Sequence, residues 1–228
     1  MKKLVIIPAF NEGESIVSTV ADIHKYAPDY DVIVINDCSK DDTLDKCISN
    51  EIPVLNLPIN LGIGGAVQTG YLYAMQYGYD IAVQMDGDGQ HDARYLSDLE
   101  QALISNDADM VIGSRFIKRE GFQSSGLRRM GIGVFRVLSK YLFGKTITDA
   151  TSGMRMCNRR TLELFIKDYP RDYPEPETVC RLIRKKFKVV EVPVVMKERE
   201  SGQSSINMSK SVYYMVKVTL AILIERLR

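Results

Sequence analysis

The chain has 228 residues, of which 45% are hydrophobic and 26% are charged. This composition is that of an ordinary soluble globular protein, and the length fits one domain, or one domain with an appendage. The four cysteines are scattered and form no Cys-x-x-Cys pair, so neither a zinc site nor a disulfide framework is indicated, and we expect reduced thiols. No stretch of 18 apolar residues is present, and the apolar run after Met1 is too short for a signal peptide, so we expect neither a spanning helix nor secretion.

The formal net charge of +1 hides a strong asymmetry between the two halves of the chain. Residues 1–114 carry 6 Lys and Arg against 18 Asp and Glu, whereas residues 115–228 carry 24 against 11. Such an asymmetry indicates that the second half meets something anionic. The alternative is that the two halves pack together and neutralise each other.

Strand and helix patterns alternate along the first part of the chain. Apolar runs predict buried strands at 4–7, 31–36, 54–57 and 81–85, and helical patterns follow at 15–26, 43–49 and 60–77. Because these strands are too apolar to have a face in water, they predict a parallel sheet covered by helices on both sides. Next, residues 92–106 predict a helix with Asp92 as its N-cap, and residues 110–113 a strand.

The second part of the chain is more basic and less regular. Its pattern predicts a loop at 118–129, a helix at 128–143 and a polar turn at 148–155 that leads into a short strand. It then predicts a helix that opens at 173–177, a strand at 189–196, a polar loop at 199–206 and a helix at 208–226. The last helix is apolar nearly all round, so it must be covered. Flanking Lys210, Arg226 and Arg228 favour a membrane surface or a second subunit over a plain core position.

The segment Asp86-Gly-Asp88-Gly-Gln90-His91 directly follows the predicted strand at 81–85. Two carboxylates one residue apart lie on the same face of an extended chain, and the glycines leave room for a ligand. Mg²⁺ or Mn²⁺ bound to phosphates uses one or two such carboxylates. Ligands of parallel sheets bind beyond the carboxyl ends of the strands, where Glu12 and Asp37 also fall. The alternative is an Asp-Gly turn that only ends a strand.

Two nucleotide-binding motifs are excluded. The segment 62–67 has Val67 where a dinucleotide fingerprint requires its third glycine, and it follows the third strand instead of the first. The segment Gly144-Lys-Thr146 ends like a P-loop, but Ser139 occupies the position of the first glycine.

Several motifs in the right order resemble glycosyltransferase family 2, whose members are inverting enzymes of the GT-A fold. The first four are Val5-Ile-Ile-Pro-Ala-Phe-Asn-Glu12, Val34-Ile-Asn-Asp-x-Ser-x-Asp-x-Thr43, Asn60-Leu-Gly62 and Asp86-Gly-Asp88. The later pieces Gly113-Ser-Arg115, Asp149-x-x-Ser-Gly-x-Arg155 and Arg199-x-x-Gly-x-Ser204 resemble the polyprenyl-phosphate, or dolichyl-phosphate-type, branch. The resemblance implies a Rossmann-like, mostly parallel α/β sheet flanked by helices.

The expected domain organisation follows from this resemblance. A catalytic GT-A domain would span residues 1–206, with a nucleotide-sugar-binding half at 1–116 and an acceptor-binding half at 117–206. Residues 207–228 would form a C-terminal helix for membrane or subunit association.

The resemblance also implies roles for individual residues. The donor nucleotide would be lined by Pro8, Ala9, Glu12, Asp37, Gly64, Asp86, Gly87 and Asp88. The metal ligands would be Asp86, Asp88 and Gln90, with Asp88 as the principal one. The acceptor phosphate would bind to Arg115 and Arg199. The catalytic residues would be Asp88, Arg115, Asp149 and Glu175. Where many family members have a Glu-Asp pair, this chain offers Glu175 or Glu177 as a base, or no base at all.

More ordinary interpretations remain open for some of these residues. Arg115 would then be a salt-bridge partner of the acidic half, and Glu175 and Glu177 would be acids that favour a helix N-terminus. His91 would be a neighbour of the site or a helix cap.

Taken together, these implications predict an inverting, metal-dependent glycosyltransferase. It would move a sugar from a UDP-linked donor to a polyprenyl phosphate, with Mg²⁺ or Mn²⁺, at the inner face of the plasma membrane. Its expected partners are the membrane surface, a small membrane protein and a second copy of the chain, and not nucleic acid. The alternatives are transfer to a saccharide hydroxyl of a surface polysaccharide, a sugar nucleotidyltransferase, and a silent nucleotide-binding subunit.

Overall fold

The computed structural model describes residues 1–118, 133, 140–141, 144, 146–171 and 174–197. The predicted loop at 118–129, the predicted helix at 128–143 and everything from 198 onward, including Arg199 and the C-terminal helix, lie wholly or largely outside the described residues. No described helix is long and apolar enough to cross a bilayer.

The described strands form one seven-stranded sheet in the order β3-β2-β1-β4-β6-β5-β7. Their bounds are β1 Lys3–Ala9, β2 Asp31–Asn36, β3 Val54–Asn56, β4 Ile81–Gln84, β5 Met110–Ser114, β6 Arg155–Asn158 and β7 Val189–Pro193. Strands β1 to β4 are parallel, and β5 is parallel to β7. Only β6 runs antiparallel to its neighbours β4 and β5 among the strands described. The predicted mostly parallel sheet is confirmed.

Helices cover both faces of this sheet. They are α1 Ile16–Tyr26, α2 Thr43–Ser49, α3 Gly62–Gln76, α4 Leu96–Ser105, α5 Arg159–Phe165 and α6 Pro174–Arg184. The helix predicted at 92–106 begins as a 3-10 turn at Ala93–Tyr95, and Asp92 caps it by accepting a hydrogen bond from the Arg94 N–H. Helix α5 was not predicted, although Asn158 caps its start by accepting from the Thr161 N–H.

Alternating strand side chains separate the core into two layers. On β1, Leu4 and Ile6 pack with α3, α5 and α6, whereas Val5 and Ile7 pack with α1 and α4. The central strands therefore have no face in water, which explains why their sequences are continuously apolar. This two-sided burial fixes the position of the loops that follow β1, β2 and β4.

Helix α3 packs tightly against the sheet at Gly70. A Cβ atom built there would lie 2.2 Å from Ile6 Cγ2 in the buried core. Alanine favours a helix over glycine by about 1 kcal/mol, but overpacking a core costs about 1–3 kcal/mol, and this clash is severe. We expect Gly70→Ala to lower the free energy of unfolding by about 2 kcal/mol in urea titrations.

Leu72→Ala provides the control on the same helix, because the Leu72 side chain is 48% exposed. It should change the free energy of unfolding by no more than about 0.5 kcal/mol. A Gly70→Ala variant as stable as the wild type would contradict the packing of α3 on β1.

Candidate active site

The loops after β1 and β2 meet at the carboxyl edge of the sheet. The backbone N–H groups of Asn11, Glu12 and Gly13 donate to Ser39 Oγ (2.9 Å), Thr43 Oγ1 (3.0 Å) and Asp41 Oδ2 (3.0 Å), respectively. The polar residues of the second motif therefore hold the loop of the first one. This arrangement satisfies backbone donors that the turn would otherwise leave without partners.

Asp37 joins β2 to the start of helix α3. Its carboxylate accepts hydrogen bonds from the N–H groups of Leu61 (2.6 Å) and Gly62 (2.9 Å). Burial raises the pKa of Asp37, and these two bonds oppose that shift. The carboxylate thus binds the Asn60-Leu-Gly62 motif, and its contact with a nucleotide remains a prediction.

The other residues predicted to line the nucleotide lie in two separate parts of the structure. Gly87 packs against Pro8 and Glu12, since a Cβ built on it would lie 3.5 Å from the Pro8 carbonyl oxygen and from Glu12 Cγ. The Ala9 carbonyl accepts a hydrogen bond from the Asp37 N–H at 2.8 Å. These residues therefore form one cluster.

Gly64 lies in a second place, at the start of α3. Its N–H donates to the Arg171 carbonyl at 3.1 Å, and a Cβ there would lie 2.2 Å from the Pro170 carbonyl oxygen. The close packing of α3 on the 170–171 segment explains this glycine.

The acidic turn of Asp86 and Asp88 directly follows β4, as predicted. The Ser15 hydroxyl donates to the Gly87 carbonyl at 2.7 Å, and Asp88 Oδ1 accepts from the Gln90 N–H at 3.1 Å. On the other side, the Gln90 amide donates to the Lys197 carbonyl at 3.2 Å, and the Lys197 N–H donates back to the Gln90 carbonyl at 3.0 Å. The turn is therefore held between α1 and the segment that follows β7.

The donors at this turn suit a hard divalent cation bound together with phosphates. Within the described ranges, no group of three or more His, Cys, Asp or Glu side chains forms a complete metal cage. Mg²⁺ and related ions use one or two carboxylates and take further oxygens from water and phosphate. The half-exposed carboxylates of Asp86 and Asp88 fit this pattern, so the residues present are compatible with such an ion.

Gly153 brings the Asp149–Arg155 motif against the acidic turn. A Cβ atom built on Gly153 would lie 2.6 Å from both carboxylate oxygens of Asp86. Only glycine leaves room for that carboxylate. No feature of the sequence connects these two motifs.

Gly153→Ala should therefore displace the Asp86 carboxylate and lower kcat/KM about 100-fold, which corresponds to about 2.7 kcal/mol. The melting temperature should fall by only a few degrees, because the half-exposed carboxylate can rotate away from the new methyl group. Activity and melting temperature measured on the same preparation check this. Wild-type activity in the variant would show that the contact with Asp86 is not needed.

Arg115 and Asp149 form a buried ion pair next to this turn. Arg115 Nε and Nη2 donate to the two Asp149 oxygens at 2.6 and 2.7 Å, and Nη2 also donates to Thr151 Oγ1 at 2.8 Å. Asp149 is completely buried, and Arg115 lines a crevice with His91 and Met196. Arg115 is therefore ion-paired, but the expected partner from the acidic first half is wrong, because Asp149 belongs to the second half of the chain. Its role toward an acceptor phosphate remains a prediction.

Glu191 is a residue that the sequence reasoning missed. Its carboxylate accepts from the backbone N–H groups of Thr148 and Asp149, both at 2.8 Å, and from the Thr148 hydroxyl. It therefore fixes the loop that carries Asp149. The sequence signal that could have identified Glu191 is an acidic residue within the otherwise apolar strand β7.

Arg155 connects the same loop to helix α6. Its guanidinium donates to the Ser152 carbonyl at 2.7 Å, the Glu175 carbonyl at 2.7 Å and Thr178 Oγ1 at 3.0 Å. The start of α6, with Glu175, is thus placed beside the 150–152 turn. Glu177 pairs with the buried Arg181 at 3.0 Å, which gives it a structural role.

Comparison with known proteins identifies the fold and the family. The Glycosyl transferase family 2 model matches residues 4–165. The chain is 32% identical to a polyprenol monophosphomannose synthase of Mycolicibacterium smegmatis, covering 95% of this chain and 85% of that protein. It is also 32% identical to an undecaprenyl-phosphate mannosyltransferase of Micrococcus luteus, covering 91% and 88%.

A solved structure has the same fold. Glucosyl-3-phosphoglycerate synthase of Mycobacterium tuberculosis, in complex with Mn²⁺, UDP and phosphoglyceric acid, superposes with a TM-score of 0.76 at 18% identity, covering 99% of this chain and 78% of that one. The sheet is that of the GT-A fold. By sequence and by fold, this chain is a glycosyltransferase that belongs to family 2 and groups with its polyprenyl-phosphate branch.

Proposed function

We propose that the enzyme transfers one sugar, with inversion, from a nucleotide sugar to a polyprenyl phosphate. The observation that carries this proposal is the contact between the acidic turn and the Asp149–Arg155 motif at Gly153. That contact supports the proposal, because it joins the turn proposed to act on the donor side to the loop proposed to face the acceptor. The names of the two mannosyltransferase relatives support a lipid phosphate as the acceptor.

Asp86, Asp88 and Gln90 would hold a divalent cation, which when bound neutralises the charge that develops on the departing diphosphate. The cluster of Pro8, Ala9, Glu12, Asp37 and Gly87 would bind the nucleotide. Its backbone is held in place by the loop-to-loop hydrogen bonds described above, so little reorganisation is required on binding.

The acceptor would approach from the side of Arg115, with Arg199 as a second phosphate ligand. A phosphate monoester has its second pKa near 6, so a lipid phosphate is already ionised at neutral pH and needs no strong base. Asp149 keeps the Arg115 guanidinium in one orientation. Glu175 would serve as a base only if the acceptor were a saccharide hydroxyl.

The donor is proposed to be a UDP-sugar, and the site of action the inner face of the plasma membrane. The structural neighbour of the same fold binds UDP, and this shared fold is what supports a UDP-linked donor. The excess of basic residues in 115–228 supports attraction to an anionic leaflet, at about 1 kcal/mol per residue near the surface. Residues 208–226, predicted from the sequence to form a helix, are proposed to provide membrane or subunit contact.

The test is a donor panel applied to the full-length chain. UDP-sugars and GDP-mannose are incubated separately with Mn²⁺ and undecaprenyl phosphate, and the lipid is analysed by mass spectrometry. One donor should give a lipid heavier by a single sugar residue, with a nucleoside diphosphate released and the reaction stopped by a chelator. Products on an oligosaccharide only, or pyrophosphate released from a nucleoside triphosphate, would instead support the alternatives.

A further inference from the structure

His91 is a buried side chain to which the proposed reaction assigns no role. It lies at the end of the acidic turn and is 7% exposed. The backbone N–H of Asp86 donates to its Nδ1 atom at 3.1 Å. Because Nδ1 accepts this bond, the proton of the neutral ring resides on Nε2.

The Nε2 atom of His91 is buried and has no hydrogen-bond partner among the residues that the structure describes. Asp86 Oδ2 lies 3.7 Å from it, which is beyond hydrogen-bonding distance. Buried donors without partners are uncommon in folded proteins, and each one calls for an explanation such as a catalytic role or an ion that binds nearby. A small rotation of the Asp86 carboxylate would close this gap.

Space around Asp86 limits how that carboxylate moves. The Gly153 backbone lies on one side, so close that a Cβ would contact both oxygens at 2.6 Å. The His91 ring lies beside Oδ2. The carboxylate therefore lies in a slot between the ring and the glycine, which border it on two sides while its side toward solvent stays open.

We propose that His91 is a positioning residue for Asp86. Its Nε2–H donates to Asp86 Oδ2 when a divalent cation binds, and this leaves Oδ1 oriented toward the ion. Carboxylate ligands of metals are commonly fixed by such outer hydrogen bonds, and their loss weakens metal binding about 10–100-fold. This inference rests on the metal role proposed above for Asp86 and Asp88.

The test measures Mn²⁺ binding, separately from turnover, in three variants. His91→Asn retains an acceptor for the Asp86 N–H but has no group at the Nε2 position. In His91→Gln and His91→Met the new side chains have similar lengths, but only glutamine provides a hydrogen-bond donor near the Nε2 position. Free Mn²⁺ is followed by its electron paramagnetic resonance signal, with UDP or GDP present at saturation.

We expect His91→Asn and His91→Met to bind Mn²⁺ at least about 10-fold more weakly, and His91→Gln to bind within about threefold of the wild type. Melting temperatures without metal should be similar for glutamine and methionine. His24→Asn, at the exposed end of α1, is the control and should bind like the wild type.

Two results would overturn the positioning role. One is wild-type affinity in both the Asn and Met variants, and the other is equal weakening in the Gln and Met variants, which would indicate that the ring only packs. If the wild-type protein itself bound no Mn²⁺ with either nucleotide, the metal role of the acidic turn would fail as well. The two failures are therefore distinguishable.

Discussion

Asp88→Asn should abolish metal-dependent turnover while leaving the fold intact. The substitution removes the negative charge that would hold the cation but retains the shape of the side chain. Its Oδ1 can still accept the bond from the Gln90 N–H. Loss of about 4 kcal/mol of transition-state stabilisation corresponds to a decrease in kcat/KM of about 1000-fold.

The measurement is kcat/KM as a function of Mn²⁺ concentration, together with the melting temperature. Asp98→Asn is a matched control, because Asp98 is exposed in the first turn of α4. It should retain wild-type activity. Near-normal turnover of Asp88→Asn, or of the wild type with a chelator present, would rule out the metal role.

Asp149→Asn should produce the largest loss of stability among single substitutions at the site. It leaves the Arg115 guanidinium buried without its bidentate carboxylate partner. Removing one member of a buried ion pair typically costs about 3–5 kcal/mol, because the remaining charge is uncompensated. We expect the free energy of unfolding to fall by about 3 kcal/mol in urea titrations, and activity to fall as the loop at 148–152 loosens.

Two further variants make this test specific. In Arg115→Met/Asp149→Asn neither charge of this pair remains, so part of the lost stability should return. Asp42→Asn removes half of an exposed pair with Lys46 and should change stability by less than about 0.5 kcal/mol. If Asp149→Asn were as harmless as Asp42→Asn, the buried pair would contribute nothing to the fold.

The sequence predicted most of the sheet because local patterns determine it. The strand β2 and the helix α2 begin and end at the predicted residues, since an apolar run and a polar turn define them. The short strand β6 was predicted after the polar turn at 148–155, but its antiparallel direction was not, because its partners β4 and β5 are chosen by packing between distant segments. Helix α5 was not predicted because its apolar residues stand at 162, 164 and 165, whereas the equally short α2 has its own at 44, 47 and 48, with the spacing of a helical face.

The candidate site was predicted in its location but not in its internal contacts. The strand-end positions of Glu12, Asp37 and Asp86 could be predicted because parallel strands share a carboxyl edge. That Asp37 binds the start of α3, or that Arg115 is paired with Asp149, depends on tertiary contacts with no local signature. The same holds for the slot formed by Gly153 and His91, which becomes visible only when both loops are in place.

A crystal structure with Mn²⁺ and a nucleoside diphosphate would test the proposed chemistry most directly. We expect the anomalous signal of the ion between the Asp88 carboxylate and the phosphates, at about 2.0–2.4 Å from its oxygen ligands. The nucleotide should lie along the loops after β1 and β2. An ion bound away from Asp86 and Asp88, with the nucleotide still at the carboxyl edge, would contradict this role for the acidic turn.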